Sequence, residues 1–250
     1  MDVVIIGSGN VATVLGRMIS KKHRIVHIAS RKPEHAAILA NEFQAGFSGY
    51  DKITSIAADL YIVAVSDIAL EEIGNFHLYD KMIVHTAGSV PMNILNNVSL
   101  RYGVLYPLQT LRKEVSQIAV VPFLIDANTP ENLKFLQVFT STFTENVQQA
   151  NDEERLKLHT AAVIVSNFTN HLYALAEDFC NKEKVDFNLL KPLIIETANR
   201  ILIDSPSHLQ TGPAVRKDIQ TLDKHLRLLT NYPKLRTTYL RLTDSIINSN

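Results

Sequence analysis

The sequence predicts an α/β protein: a doubly wound parallel sheet over residues 1–150, followed by an all-α domain over residues 151–250. Three observations carry this expectation. Short β-branched runs alternate with helical patterns through the first half, as expected of parallel strands joined by covering helices. One such run, Leu60-Tyr61-Ile62-Val63-Ala64-Val65, is almost continuously apolar, the pattern of a strand buried on both faces. Near residue 150 the strand runs stop and helical periodicity takes over.

Val3-Val4-Ile5-Ile6 forms the first strand and ends at a glycine cluster; Val11, Val14, Leu15 and Met18 mark the helix that follows. Arg24 to Ala29 reads as the second strand. Pro33 suits the first turn of a helix carrying Ala36, Ala37, Leu39 and Ala40, because its missing N–H would have no partner there. Met82 to His85, Gly103 to Tyr106 and Val120 to Ile125 are further strands. Thr129-Pro130-Glu131 opens a helix running to about Thr140, with Thr129 as cap. Asn151 and the acids Asp152, Glu153 and Glu154 start a long helix reaching about Cys180, where their charges oppose the helix dipole. Its segment Ala161 to Val165 is apolar on every face, as in a central buried helix. Later helices break at Ser205-Pro206-Ser207 and at Tyr232-Pro233.

Composition narrows the function. Of 250 residues 46% are apolar and 20% charged, an ordinary globular mix. Lys+Arg and Asp+Glu are both 25, and a net charge of zero argues against nucleic acid as partner. The single cysteine, Cys180, excludes an internal disulfide framework and a cysteine-cluster zinc site. No H-E-x-x-H or close His pair suggests another metal. No secretory signal and no run of ~18 apolar residues is visible, so a cytoplasmic protein is the default expectation. From Pro213 to Asn250 seven Lys/Arg face three Asp, but spaced among leucines they read as solvated helix faces.

Gly7-Ser8-Gly9-Asn10-Val11-Ala12 matches G-x-G-x-x-A, directly after a strand and opening a helix. Gly7 permits the tight turn, Gly9 lets the backbone approach a pyrophosphate, and Ala12 lets helix and strand pack closely. The anion would rest on free N–H groups at the helix start. Past the second strand, where an NAD site carries an acid for the ribose 2′-OH, this chain has Ala29-Ser30-Arg31-Lys32. Ser30 can donate to a 2′-phosphate and Arg31 can pair with it, so the charge pattern points to NADP.

These residues, with Val65-Ser66-Asp67 and His85-Thr86-Ala87-Gly88, together resemble the N-terminal domain of Rossmann-like NADP oxidoreductases related to deazaflavin-dependent NADP reductase and pyrroline-5-carboxylate reductase. Tyr106-Pro107-Leu108-Gln109-Thr110 and Thr211 to Asp218 resemble a subgroup with an uncharacterised helical C-terminal domain. The resemblance implies an NADP-binding domain and a small-molecule substrate. It also implies a helical domain like the C-terminal one of 6-phosphogluconate dehydrogenase, which commonly forms homodimers. In this group His-Pro is common where Tyr106-Pro107 stands, and tyrosine carries no proton near neutral pH unless its pKa is strongly shifted.

Ligands of open α/β sheets lie beyond the carboxyl ends of strands, so Val65, Ser66 and Asp67, with Thr86, Ala87 and Gly88, should flank the nicotinamide; Asp67 is also expected to cap the helix beginning there. Hydride transfer to a carbonyl or imine needs a proton donor as well. His159 is the best candidate. At 100° per residue, His159, Val163, Ser166 and Asn170 share one face, with Asn167 about 80° away. Related dehydrogenases place a catalytic Lys and Asn on the corresponding helix, and His159 and Asn167 resemble that pair. The competing role is an internal hydrogen-bond network. Thr211-Gly212-Pro213 is expected to open a helix aiming Arg216 at an anionic substrate held between the domains; its alternative is an exposed Arg216–Asp218 ion pair. Two other functions remain open: a non-catalytic NADP(H) sensor, and an enzyme like prephenate dehydrogenase.

Overall fold

The computed structural model describes residues 1–74, 76–115 and 120–248. It divides into two compact units, Met1–Ser166 and Asn167–Asn250.

The first unit is built on an eight-stranded sheet, ordered β3-β2-β1-β4-β5-β6-β7-β8. Its strands are β1 (Asp2–Ile6), β2 (Arg24–Ala29), β3 (Gly46–Ser48), β4 (Leu60–Val63), β5 (Met82–His85), β6 (Tyr102–Pro107), β7 (Phe123–Ala127) and β8 (Val147–Gln149). All neighbouring strands pair parallel except β6 and β7. The helices are α1 (Asn10–Ile19), α2 (Pro33–Phe43), α3 (Asp67–Ile73), α4 (Pro130–Ser141) and α5 (Asp152–Ala162).

Alternate residues of β1 explain the layering. Val3 and Ile5 face a core completed by Leu15 and Ile19 of α1, Leu39 of α2 and Phe139 of α4. Val4 and Ile6 face the other side, with Leu70 and Ile73 of α3, Ile53, Leu78 and Leu95. Both faces are covered, so β1 and β4 carry no polar residue beyond Asp2, and each such buried aliphatic side chain stabilises by about 1.5–3 kcal/mol. The order reverses between β1 and β4: one half of the chain winds outward from β1 to β3, the other from β4 to β6. The loops leaving these two strands therefore part and open a crevice.

Helix ends follow local chemistry. Pro33 and Pro130 are the first residues of α2 and α4, and the Thr129 hydroxyl accepts from the Asn132 N–H. Asn151 and Glu154 form a reciprocal capping box at α5. Strand β7 lies further along the chain than expected, at Phe123–Ala127, and the short strands β3 and β8 were not anticipated.

The long helix expected to reach Cys180 is interrupted. After α5 the backbone takes a π-helical turn, Val163–Phe168, before α6 (Thr169–Glu183). The division between the two units falls inside this turn. The expectation of a helix apolar on every face and buried is corrected: Ile164 is 54% and Val165 71% exposed. A π turn advances by less than 100° per residue, so the face calculated beyond Val163 does not hold.

The second unit continues with α7 (Lys191–Arg200), α8 (Ile219–Leu228) and α9 (Pro233–Ile247). Cys180, Ala214, Leu222 and Leu229 are its buried apolar residues. Among the described residues no helix is long and apolar enough to cross a membrane.

Candidate functional site

The glycine loop occupies the crevice between β1 and β4. Gly7 has φ +130°, and a Cβ there would stand 2.1 Å from the Ala64 carbonyl oxygen, so only glycine fits where the two strand ends meet. Gly9, at the N-cap of α1, has open space on its Cα side and no side chain caps the helix. Ala12 is fully buried against the sheet. Uncapped N–H groups facing open space suit a pyrophosphate.

A cavity of about 300 Å³ adjoins this loop. Gly7, Ser8, Gly9, Ser30, Arg31, Lys32, Val65 and Ser66 line it, joining the glycine loop, the end of β2 and the end of β4 in one place. His35 and Tyr50 line it too, and no motif of the sequence marks either. His35 lies in the first turn of α2, where an exposed His reads as solvated surface. Arg31 forms an ion pair with Glu72, at 3.3 Å. The Ser30 hydroxyl donates to the Lys32 carbonyl, at 2.6 Å, while Ser30 itself is buried. Asn10 and Val11 lie outside the cavity lining; the Asn10 side chain accepts from the Lys113 N–H.

The capping role expected of Asp67 is corrected. Ser66 holds the N-cap position of α3, no side chain caps the helix, and Asp67 is its first residue. The Asp67 carboxylate instead accepts from the Ser89 hydroxyl. That bond ties the start of α3 to the loop after β5.

The same loop meets α5. Thr86 bonds its hydroxyl to the Val63 carbonyl, and Thr86, Ala87 and Gly88 are all buried. A Cβ on Gly88 would stand 2.6 Å from Nδ1 of His159 and 3.0 Å from the Tyr106 ring, so glycine lets the imidazole rest on the loop backbone. His159 Nδ1 lies 2.8 Å from the Tyr106 hydroxyl, the rings edge to face at 77°. Seven residues on, in the π turn, Ser166 bonds Thr110, at 2.7 Å. The polar residues of this helix thus find their partners on β6 and the loop beyond it, at Tyr106 and Thr110. Burial pushes the Tyr106 phenol above its usual range.

Beneath lies Arg155, 1% exposed. It donates to the Val90 carbonyl at 2.6 Å and to Asp152 at 2.7 Å, and Asp152 accepts from the Met92 N–H. Nε and Nη1 of Arg155 and Nε2 of His85 have no hydrogen-bond partner among the described residues. His85 is fully buried, and burial foremost, then the Arg155 charge, lowers its pKa to about 4. It is neutral near pH 7, with its single hydrogen on Nε2 because Nδ1 accepts from the Ala87 N–H.

Asn167 and Arg216 belong to the second unit, and both are exposed. Arg216 does not open a helix. Gly212 and Lys217 have positive φ, the segment between is a turn, and α8 begins at Ile219 with the Asp218 carboxylate as its cap. Asp218 is therefore engaged by Thr221, and no Arg216–Asp218 ion pair occurs among the described residues.

Comparison with known proteins agrees with this architecture. Residues 2–86 match a family model described as NADP oxidoreductase, coenzyme F420-dependent, and residues 121–246 match a domain of unknown function, DUF2520. No curated protein matches the chain. A "putative NADP oxidoreductase" from Bacteroides fragilis is 38% identical over 98% of this chain and 97% of that one, with TM-score 0.90. A 1-pyrroline-5-carboxylate reductase from Streptococcus pyogenes is 14% identical, covering 99% and 98% of the two chains, with TM-score 0.66. A reductive aminase from Aspergillus terreus, in complex with NADPH and ethyl levulinate, is 15% identical over 98% and 92%, with TM-score 0.71. At those identities the last two share the fold. With one family model across half its length and a close relative along nearly all of it, the chain belongs to the Rossmann-like NADP oxidoreductases that carry the DUF2520 domain.

Proposed function

We propose that this NAD(P)-dependent reductase uses NADP and transfers a hydride between nicotinamide and a small carbonyl or imine compound. The observation that carries this reading is the cavity at the β1–β4 crevice, where uncapped α1 and open Gly9 meet Arg31, Lys32 and His35. Arg31 and Lys32 stand where an NAD site carries an acid, and the Glu72 carboxylate paired with Arg31 lies outside the lining, which favours a 2′-phosphate over a bare ribose hydroxyl. The NADPH named with the Aspergillus reductive aminase supports the same choice.

The bound cofactor would supply the hydride chemistry. The chain's own residues do the rest. Backbone N–H groups of α1 would hold the pyrophosphate, and Arg31 and Lys32 the 2′-phosphate. Thr86, Ala87 and Gly88, at the end of β5, would offer backbone to the nicotinamide. His159, resting on that loop, hands a proton to the substrate oxygen or nitrogen. We place the division of labour at residue 150, with cofactor binding before it and substrate binding and dimerisation after it. The exposed apolar residues Leu189, Leu193, Leu202 and Ile203 of the second unit support a homodimer, because a second copy would remove them from water.

Calorimetric titration with NADPH and, separately, NADH tests the reading. Tight NADPH binding that weakens in Arg31→Ala is expected; binding of neither nucleotide overturns it. A screen of carbonyl and imine substrates then follows, with His159→Ala losing turnover at unchanged NADPH affinity. Loss of turnover in Asn167→Ala or Arg216→Ala would assign that residue to substrate positioning. Tight NADPH binding without turnover on any substrate would leave the sensor, and release of carbon dioxide from prephenate would leave the dehydrogenase-like enzyme.

A further inference from the structure

We propose that Tyr106 is a positioning residue for His159: its phenolic O–H donates to Nδ1, so that the proton of the neutral imidazole is held on Nε2. The inference deepens the reading of His159 as the proton carrier and rests on it for its functional meaning.

The direction of the hydrogen bond follows from accounting for one buried hydrogen. Tyr106 is 8% exposed, and its hydroxyl has a single hydrogen-bond partner among the described residues, His159 Nδ1 at 2.8 Å. Burial keeps the phenol protonated, so it has a hydrogen to donate. Were Nδ1 protonated, both groups would offer hydrogens along one line, and the phenolic one would turn away from the one hydrogen-bond partner it has among the described residues. Donation from Tyr106 removes that conflict and selects the Nε2–H tautomer.

The position of the ring is determined from two sides. Tyr106 sits on β6, paired with β5 on one edge and, through Leu124, with β7 on the other, so the phenol is carried by rigid sheet. Gly88 supports the imidazole from the loop after β5, with no room for a Cβ between them. Nε2, on the far side of the ring from Nδ1, has no hydrogen-bond partner among the described residues. It is the nitrogen left to meet a substrate heteroatom. A tautomer fixed in advance spares the substrate that ordering step.

The test reads the nitrogens directly, without cofactor or substrate. Protein carrying ¹⁵N-histidine is studied by long-range ¹H–¹⁵N correlation at a pH where His159 is neutral, and the His159→Gln spectrum identifies its signals among the nine histidines. The expected result is a protonated Nε2 and an unprotonated Nδ1 displaced toward the hydrogen-bonded range. In Tyr106→Phe, Nδ1 should move to the range of an unbonded acceptor. Turnover should fall on the order of ten-fold, the weight of about one hydrogen bond, with substrate KM and NADPH affinity unchanged. A proton on Nδ1 in the wild-type protein, or an Nδ1 signal unmoved in Tyr106→Phe, overturns the proposal; the first of these needs no variant to fold. Failure of NADPH to bind would sink the oxidoreductase reading and leave the nitrogen spectra unaffected, so the two failures are distinguishable.

Discussion

His85 makes the protein sensitive to mild acid in a way that can be calculated. Its Nδ1 accepts from the Ala87 N–H at 3.2 Å, its Nε2 has no partner among the described residues, and the side chain is fully buried. Burial, reinforced by the Arg155 charge and opposed by Asp152, Asp67 and the Pro91 backbone, lowers its pKa from 6.5 to about 4. The unfolded chain therefore takes up a proton at a pH where the folded one refuses it. Near pH 7 both forms are neutral and the effect is small. Between pH 6.5 and 4 stability falls, and for this pair of pKa values the loss from pH 7 to 5 is about 2 kcal/mol. The control is His85→Asn, which keeps an acceptor for Ala87 and does not titrate. Urea unfolding followed by far-UV circular dichroism at pH 7, 6 and 5 should show the wild-type protein losing about 2 kcal/mol more than the variant across that range. Other groups cancel in the difference. Parallel pH profiles for the two proteins would refute the reasoning, since they would mean that His85 titrates in the fold as it does in water.

Five substitutions test the rest of the site. Gly7→Ala forces a Cβ into the Ala64 carbonyl at positive φ and should cost about 2–4 kcal/mol in a denaturant titration while abolishing NADPH binding. Arg31→Ala should weaken NADPH by about ten- to hundred-fold and leave NADH nearly unchanged; equal losses for both would remove Arg31 from the 2′-phosphate. Asp152→Ala leaves buried Arg155 without its carboxylate and Met92 without an acceptor, so it should lose about 2–3 kcal/mol. Arg155→Met, which removes the unpaired donors as well, should lose less, and the reverse order would disprove that account of the buried cation. Gly88→Ala should displace the His159 ring and abolish the hydrogen-bonded Nδ1 signal in the nitrogen spectrum.

Most of the sheet was readable from the chain because its central strands announce themselves. β1 and β4 are apolar on both faces, and Arg24–Ala29 and Met82–His85 end where the runs end. β3 and β8 were not, since three residues are too few to set a period. The glycine loop, Ser30, Arg31 and Lys32 could be placed together because a short motif bound to a strand end has one geometry. Partners distant in sequence could not. Tyr106 and His159 are 53 residues apart, and only the fold brings them together. Arg155, following three acids at a helix start, reads as a surface ion pair and turns out 1% exposed. The turn at Thr211 was misread for a related reason: Gly212 and Lys217 take left-handed backbone, and Asp218 was a better cap further on.

The π turn at Val163–Phe168 confines the effect of a one-residue deletion there to the turn itself. An α-helix closes on the fourth residue and a π turn on the fifth, so the segment behaves as an α-helix with one residue inserted. Deleting one residue after Val163 would let α5 run straight on with better hydrogen bonds. Six π residues at about 85° turn nearly as far as five α residues at 100°, so side chains beyond the turn would almost keep their phase, while Ser166, inside it, would rotate by about 50°. Ser166 would swing off Thr110, while His159, upstream of the cut, would keep Tyr106. Regularity of the helix and the placement of its polar groups are thus in opposition, and the irregular turn is the form that satisfies Thr110.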